Sequence, residues 1–227
     1  LIAPIAESDI SVLKRIVSNR KVDGVLLTRS LVVDYPADYL KTARVPFVTV
    51  GSSRDPAIVQ VDTDTTAACR ALTAETLKNC ASRVALILGP LEYIANKDRL
   101  NGYSAAFADA GREVDPSLVF SDVSGGKAVK EACRRAVAAG AECVLCGDDY
   151  ICARTVEQLV ASGAAHMRVS CFYNSGILRN LPHVSAVVNV DFRSCGVAAG
   201  EALVQLLEHE PVRQKTFVPH TILHYRP

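Results

Sequence analysis

Short runs of apolar, mostly β-branched residues alternate along this chain with stretches of helical periodicity. Apolar runs without polar alternation are typical of strands that are buried on both faces of a sheet. The runs are Val25–Leu27, Phe47–Val50, Val84–Leu88, Cys143–Cys146, Val169–Phe172 and Val184–Val190. Strands that alternate with helices in this way predict an α/β fold, with mostly parallel sheets and helices on both faces.

Stretches between the runs place apolar residues three or four positions apart, as on one face of a helix. One such stripe is formed by Leu100, Tyr103 and Phe107, and others lie near residues 156–160 and 199–207. Three glycines are expected to follow helix ends, because glycine adopts left-handed conformations at little cost. They are Gly111, Gly140 and Gly163.

The alternation breaks where two β-rich segments follow each other with no room for a helix. Ile58–Val61 comes directly after the second run, and Thr216–Val218 is followed at once by Thr221–Tyr225. Back-to-back strands allow a chain to pass between two lobes. We therefore expect two α/β lobes joined by three crossings, which we place near Val61, Val190 and Pro219.

Composition narrows the functional classes. A formal net charge of +1 over 227 residues gives no basic surface for nucleic acid. The apolar runs are too short to span a membrane, and Leu1–Ala6 lacks the basic start and long apolar stretch of a secretory signal. Eight scattered cysteines in a chain of this size favour reduced thiols and a cytoplasmic location.

No metal, cofactor or catalytic motif stands out. Cys143 and Cys146 are three apart on a predicted strand, so they face opposite sides and cannot share a metal. His220 and His224 have no third ligand in the sequence. Residues 124–127, Ser-Gly-Gly-Lys, lack the leading glycine of a phosphate loop and are predicted to begin a helix. Since no nucleophile elbow or Cys–His pair is visible either, we predict that the chain is not an enzyme.

Several stretches carry a more specific signal through their order and spacing. They are Val22–Leu27, Val45–Val50, Val61-Asp62, Gly89–Glu92, Arg99–Tyr103 with Ala106-Phe107, Cys146–Asp149 with Ala153, Cys171–Asn174, and Pro182–Val187. Taken in order, they resemble the ligand-binding core of the lactose, galactose and purine repressor (LacI-type) family over essentially the whole chain. The most specific block is Arg99-Leu100-Asn101-Gly102-Tyr103.

The resemblance implies two Rossmann-like lobes of the periplasmic-binding-protein type I, with the ligand between them. It places residues 1–61 and 191–217 in an N-terminal lobe, and residues 62–190 and 218–227 in a C-terminal lobe. The family's core begins with a strand and a helix before the segment that matches Leu1, preceded by a helix-turn-helix head. We expect those parts to be absent here, and the pocket to lack the contacts of that first helix.

The same resemblance implies that Arg99 contacts the ligand. A guanidinium is a rigid fork of donors that can hold a diol or a carboxylate from two directions. The alternative is a surface arginine paired with Asp98 or Glu92.

Two aspartates, Asp148 and Asp149, lie between a predicted strand and the helix after it. One carboxylate there is expected to cap the helix. We assign the cap to Asp149 and leave Asp148 to accept hydrogen bonds from ligand hydroxyls at the carboxyl end of its strand. Asp62 is a further candidate for ligand binding, although capping is its favoured role.

Three more residues complete the candidate ligand-binding set. Cys171-Phe172-Tyr173-Asn174 stands where the family has Gly-Phe-Asp-Asp, so the usual aspartate acceptor is missing unless Asn174 replaces it. Tyr173 and Tyr93 are the other two candidates.

These expectations combine into one function and one alternative. We predict the effector-sensing domain of a bacterial LacI-type regulator, a homodimer that binds a small polar ligand, by analogy a sugar or polyol. The ligand would control operator DNA binding by an upstream head. The alternative is a periplasmic-type sugar-binding protein of a transport system; an aromatic content of 6% without tryptophan disfavours it mildly.

Overall fold

The computed structural model describes residues 1–5, 9–79 and 83–225. It divides into two compact units. The first comprises Leu1–Asp62, Glu92–Ile94 and Asp191–Val218, and the second comprises Thr63–Leu91, Ala95–Val190 and the residues from Pro219 onward.

Seven helices and ten strands occur in the described residues. The helices are α1 Ser11–Ser18, α2 Tyr35–Ala43, α3 Thr65–Asn79, α4 Ile94–Asp109, α5 Gly125–Ala138, α6 Asp149–Ala161 and α7 Phe192–Leu207. The strands are β1 Val25–Leu27, β2 Phe47–Val50, β3 Val59–Asp62, β4 Val84–Ile87, β5 Val119–Phe120, β6 Cys143–Cys146, β7 Arg168–Cys171, β8 Val184–Val190, β9 Lys215–Phe217 and β10 His220–His224. No helix among the described residues is long and apolar enough to cross a membrane.

The first unit contains a four-stranded sheet in the order β1-β2-β3-β9, and every neighbouring pair is parallel. Its core gathers Leu13, Leu27, Leu40 and Phe47 from two helices and two strands. Leu203 of α7 packs against the backbone at Gly24, where a Cβ would lie only 2.8 Å from the leucine Cδ1. A side chain at position 24 would therefore have to displace Leu203.

The second unit contains a six-stranded sheet in the order β10-β8-β7-β6-β4-β5. All its pairs are parallel except β10 with β8. The central strands β4 and β6 are buried along their whole length. Apolar side chains cover both sheet faces in two separate clusters, which explains why these strands show continuous apolar runs.

The predicted α/β fold with predominantly parallel sheets is confirmed. Gly111, Gly140 and Gly163 each follow a helix and have φ angles of 66°, 72° and 75°, as their predicted role at helix ends requires. Cys143 and Cys146 belong to the clusters on opposite sheet faces, so the prediction that they face apart is also confirmed.

Candidate ligand site

The candidate site lies in the second unit, where β4, β6 and β7 end. These three strands are parallel neighbours, so their carboxyl ends meet at one edge of the sheet. Ligands of open α/β sheets bind at this edge. The segments that follow the strands contribute Gly89–Leu91, Asp148 and Tyr173-Asn174, and the helix after β4 carries Arg99.

Arg99 is held by a neighbour on its own helix. Its Nη1 donates a hydrogen bond of 2.7 Å to Oδ1 of Asn96. Asn96 has only 5% of its surface exposed, and its Nδ2 donates to the carbonyl oxygen of Pro90 at 2.9 Å. The Nε of Arg99 is buried and makes no hydrogen bond within the described part of the chain. A buried guanidinium donor without a partner is costly.

The charges of Arg99 and of the two aspartates after β6 act on Tyr173. Burial raises the pKa of the Tyr173 hydroxyl, the negative charge of Asp149 raises it further, and Arg99 opposes the rise. Asp148 acts in the same direction as Asp149. Arg99, Asp148 and Tyr173 are therefore close enough for their charges to act on one another, and their sharing of one ligand site stays a prediction.

The assignment of the helix cap to Asp149 is wrong. Asp148 is the residue before α6, and its Oδ1 accepts a hydrogen bond of 2.8 Å from the Ile151 backbone nitrogen. Asp149 is the first residue of the helix and accepts only from the adjacent Tyr150 nitrogen, at 2.9 Å. An N-cap needs an extended backbone just outside the helix, and Asp148 has that conformation. The cap occupies one carboxylate oxygen of Asp148, and the second oxygen can accept a ligand hydroxyl.

Asn174 is part of a polar network. Its Nδ2 donates to Oδ1 of Asn189 at 2.7 Å, and its own Oδ1 accepts a 2.7 Å hydrogen bond from the Tyr225 hydroxyl. Asn189 lies on β8 and Tyr225 follows β10, so the network fixes the loop after β7 against two further strands. An amide held at both ends is preorganised, and it retains one N–H and one lone pair for a ligand.

Asp62 and Tyr93 lie in the first unit. The favoured capping role of Asp62 is wrong: its Oδ2 accepts a 2.6 Å hydrogen bond from the Ser52 hydroxyl. Asp64 caps α3 instead, accepting from the Ala67 nitrogen at 2.9 Å. Tyr93 forms a β-bridge with Leu31, and its ring lies 4.7 Å from the Arg29 guanidinium.

Below the candidate site lies a group of buried thiols. Cys146 and Cys171 are the last residues of β6 and β7 and are paired in register. Cys152 contacts both, and these contacts together with burial raise its pKa. The Cys152 thiol therefore stays protonated, and all three side chains pack as small apolar groups. Within the described residues, no group of three His, Cys, Asp or Glu side chains is arranged to hold a metal.

Comparison with known proteins identifies the family. Residues 1–211 match the family model of periplasmic binding proteins and the sugar binding domain of the LacI family. The chain belongs to this family. Its resemblance to LacI-type cores, noted from separate motifs, is thereby confirmed.

Similar proteins include transcription regulators. The HTH-type transcriptional regulator CelR of Thermobifida fusca is 33% identical over 154 residues, which are 64% of this chain and 44% of that protein. The chain thus spans less than half the length of this relative. Among solved structures, transcription regulator CcpA of Lactococcus lactis has a TM-score of 0.85 at 24% identity, covering 95% of this chain and 83% of that one. A complex of transcriptional regulator CelR with cellobiose has a TM-score of 0.85 at 24% identity, covering 96% and 69%.

Sequence reasoning missed three residues that shape the site of this LacI-family core. Asn96 precedes Arg99 by three positions, a spacing that brings side chains together on a helix, so it could have been found. Asn189 and Tyr225 reach Asn174 only through the pairing of β8 with its neighbours. No local signal in the sequence points to them.

Proposed function

We propose that this chain is the effector-sensing domain of a LacI-type transcription regulator, and that it binds an uncharged sugar or polyol. The observation that carries the proposal is the arrangement of Arg99, Asp148, Tyr173 and Asn174 at one sheet edge. The buried Nε of Arg99 has no hydrogen-bond partner among the residues that the structure describes. Sugar hydroxyls both donate and accept hydrogen bonds, and this site offers them donors from Arg99 and an acceptor from Asp148.

The similar proteins support a sugar as the ligand. CelR is a regulator similar in sequence to this chain, and the solved CelR complex contains cellobiose. Cellobiose is therefore the first probe to use. Asp62 and Tyr93 stay in the proposed ligand-binding set, as the second group of contacts predicted from the sequence.

The rest of the proposal concerns the whole protein. Operator DNA would be bound by a helix-turn-helix head, in the cytoplasm, by a homodimer, and the chain itself would catalyse no reaction. Large apolar side chains are exposed on both units, among them Tyr150 and Ile177 on the second and Val197 and Val204 on the first. An isologous contact to which both units contribute would cover side chains of this kind.

The transport-protein alternative has less support. The curated relative described above is a transcriptional regulator, and the candidate site of the second unit offers one tyrosine rather than several aromatic platforms. A sugar-binding protein of a transport system would bind sugar equally well, so binding alone does not separate the two. Regulation of DNA binding by the sugar does.

Isothermal titration calorimetry tests the binding proposal. The intact protein is titrated with cellobiose, maltose, glucose and glycerol, and with glucose 6-phosphate as a charged comparison. We expect at least one uncharged sugar to bind and Arg99→Ala to weaken it. Binding of glucose 6-phosphate alone would contradict the proposed ligand class. An electrophoretic mobility assay on operator DNA with and without the bound sugar then tests the regulatory role.

A further inference from the structure

Asn96 makes two side-chain hydrogen bonds within the β4–α4 segment. Its Nδ2 donates to the Pro90 carbonyl oxygen at 2.9 Å, and its Oδ1 accepts from Nη1 of Arg99 at 2.7 Å. The loop and the arginine are thus connected through a single side chain that is 5% exposed. A Cβ on Gly89 would lie 3.1 Å from Nδ2 of Asn96, so the glycine leaves room for the amide.

The chemistry of an amide suits this position. Arg99 has five N–H donors in a planar fork; the bond to Asn96 fixes the plane of this fork while using one of them. A carboxylate here would also fix the arginine, but it would neutralise the charge and strengthen the competition with a ligand. An amide leaves the guanidinium positive, with its buried Nε still free of a partner within the described residues.

We propose that Asn96 is a positioning residue, which orients the Arg99 guanidinium for the ligand through its buried amide without neutralising it. Only the ligand-binding test of this proposal rests on the proposed function. The orientation of Arg99 itself is measurable without any ligand. Asn96 touches Arg99 and the loop, and its effect on ligand affinity passes through Arg99.

Nuclear magnetic resonance of ¹⁵N-labelled arginine side chains tests the orientation directly. A guanidinium held by a buried acceptor rotates slowly about its Nε–Cζ bond, so its terminal nitrogens give separate signals in a cooled sample. We expect separate signals for Arg99 in the wild-type protein, identified by their loss in Arg99→Lys, and a merged signal in Asn96→Ala. The matched control is Asn101→Ala, an exposed asparagine on the same helix, which should leave the signals separate.

A conservative variant separates the two contacts of Asn96. Asn96→Asp keeps an acceptor for Arg99 but loses the donor to Pro90, so it should preserve the separate Arg99 signals even if the melting temperature falls. Asn96→Ala removes both contacts. Merged signals in Asn96→Asp, or unchanged signals in a folded Asn96→Ala protein, would overturn the proposal.

A double-mutant cycle tests the link to ligand binding. With cellobiose, or whichever sugar the calorimetric panel identifies, Asn96→Ala should weaken binding by about three- to tenfold, as expected for loss of one hydrogen bond. In an Arg99→Ala background the same change should have almost no effect, because the residue through which it acts is gone. Equal losses in both backgrounds would overturn the proposal. If no sugar binds the wild-type protein, the proposed function fails and the arginine spectra alone decide the role of Asn96.

Discussion

Arg99 is the residue on which the proposed ligand site depends most. Its guanidinium is bonded to Asn96 at a single nitrogen, and its charge is felt at Tyr173. Tyr103, on the same helix, has a structural role. Tyr103 is fully buried and donates a 2.7 Å hydrogen bond to the Val84 carbonyl oxygen. The block Arg99–Tyr103 therefore combines a predicted ligand contact with a structural contact one helical turn later.

Arg99→Ala should lower effector affinity about tenfold or more and leave folding nearly intact. A hydrogen bond to a charged group is worth roughly 1.5–3 kcal/mol, which corresponds to about one to two decades in affinity. Arg99→Lys should retain little of the wild-type affinity, because an ammonium cannot reproduce the planar fork of donors of a guanidinium. Calorimetric titration with the identified sugar, paired with thermal melts, measures both effects. Normal binding with early melting would show that Arg99 is a structural residue.

The corrected helix cap changes the expectation for the two aspartates. Asp148→Ala should reduce the free energy of unfolding by about 0.5–2 kcal/mol, because the cap on the Ile151 nitrogen is lost. Asp148→Asn should keep most of this stability, since asparagine is an equally good cap. It should still weaken sugar binding, although less than Asp148→Ala, because the amide keeps one acceptor.

Asp149→Ala is the matched control for this pair. Asp149 lies one residue inside the helix, where a carboxylate interacts favourably with the helix dipole by about 0.3–1 kcal/mol. Urea denaturation of Asp148→Ala and Asp149→Ala proteins should therefore show the larger loss for Asp148. A larger loss for Asp149 would mean that α6 begins one residue later in solution.

For two adjacent carboxylates, the sequence predicts a helix cap but not which of the two residues forms it. The pair 148–149 predicts a cap at this strand–helix junction, and a cap is present. Which aspartate provides it depends on the exact residue at which the helix begins, and helix boundaries are uncertain by one or two positions from sequence. The same uncertainty misplaced the α3 cap at Asp62 rather than Asp64.

Among the glycines, the one at the contact between α3 and α4 has the least room for a side chain. Gly102 has no side chain at the contact; a Cβ there would lie 2.5 Å from the Thr66 carbonyl oxygen, 2.8 Å from Cβ of Cys69 and 2.9 Å from the Arg70 nitrogen. Two of these atoms are backbone and cannot move without shifting α3. The glycine thus allows close contact between the two helices.

Gly102→Ala should lower the free energy of unfolding by about 1–3 kcal/mol, the usual cost of overpacking. Gly126→Ala is the control: it lies in the first turn of α5, and its Cβ would meet nothing closer than 4.0 Å. Since alanine is a better helix former than glycine, the control should be neutral or slightly stabilising. Urea denaturation measures both. Equal stability of the two variants would mean that α3 and α4 are not in close contact at Gly102.

Element prediction succeeded where burial leaves a strong pattern. The fully buried strands β4 and β6 are continuous apolar runs and the longer β8 is largely apolar, so the sequence indicates all three directly. The edge strand β5 was missed, because two residues, Val119–Phe120, are too few to form a pattern. Its position beside β4 comes from the register of the sheet, which is a long-range property.

At the scale of the whole molecule, the homodimer is the first prediction to test. We expect sedimentation equilibrium of the intact protein at micromolar concentration to give twice the monomer mass. Exposed apolar side chains such as Ile177 and Val197, which are 66% and 53% exposed, should then be covered. Ile177→Asp and Val197→Asp should shift the equilibrium toward monomer without lowering the yield of folded protein. A wild-type protein that stays monomeric would contradict the repressor interpretation.

DNA binding gives a second prediction at this scale. With a formal net charge of +1, the 227-residue chain should not bind duplex DNA specifically, since phosphate contacts require clustered cations. An electrophoretic mobility assay at two salt concentrations measures this. A sequence-specific, salt-sensitive shift would contradict it.

The order of the strands has a consequence for how the protein is made. Residues 191–218 supply α7 and β9 to the four-stranded sheet, and residues 220–224 supply β10 to the edge of the six-stranded sheet. Synthesis on the ribosome proceeds from the N-terminus. Neither sheet can therefore be completed until this late stretch of the chain has been made. Until β10 emerges, β8 has one edge of unpaired backbone groups, which is a site of aggregation.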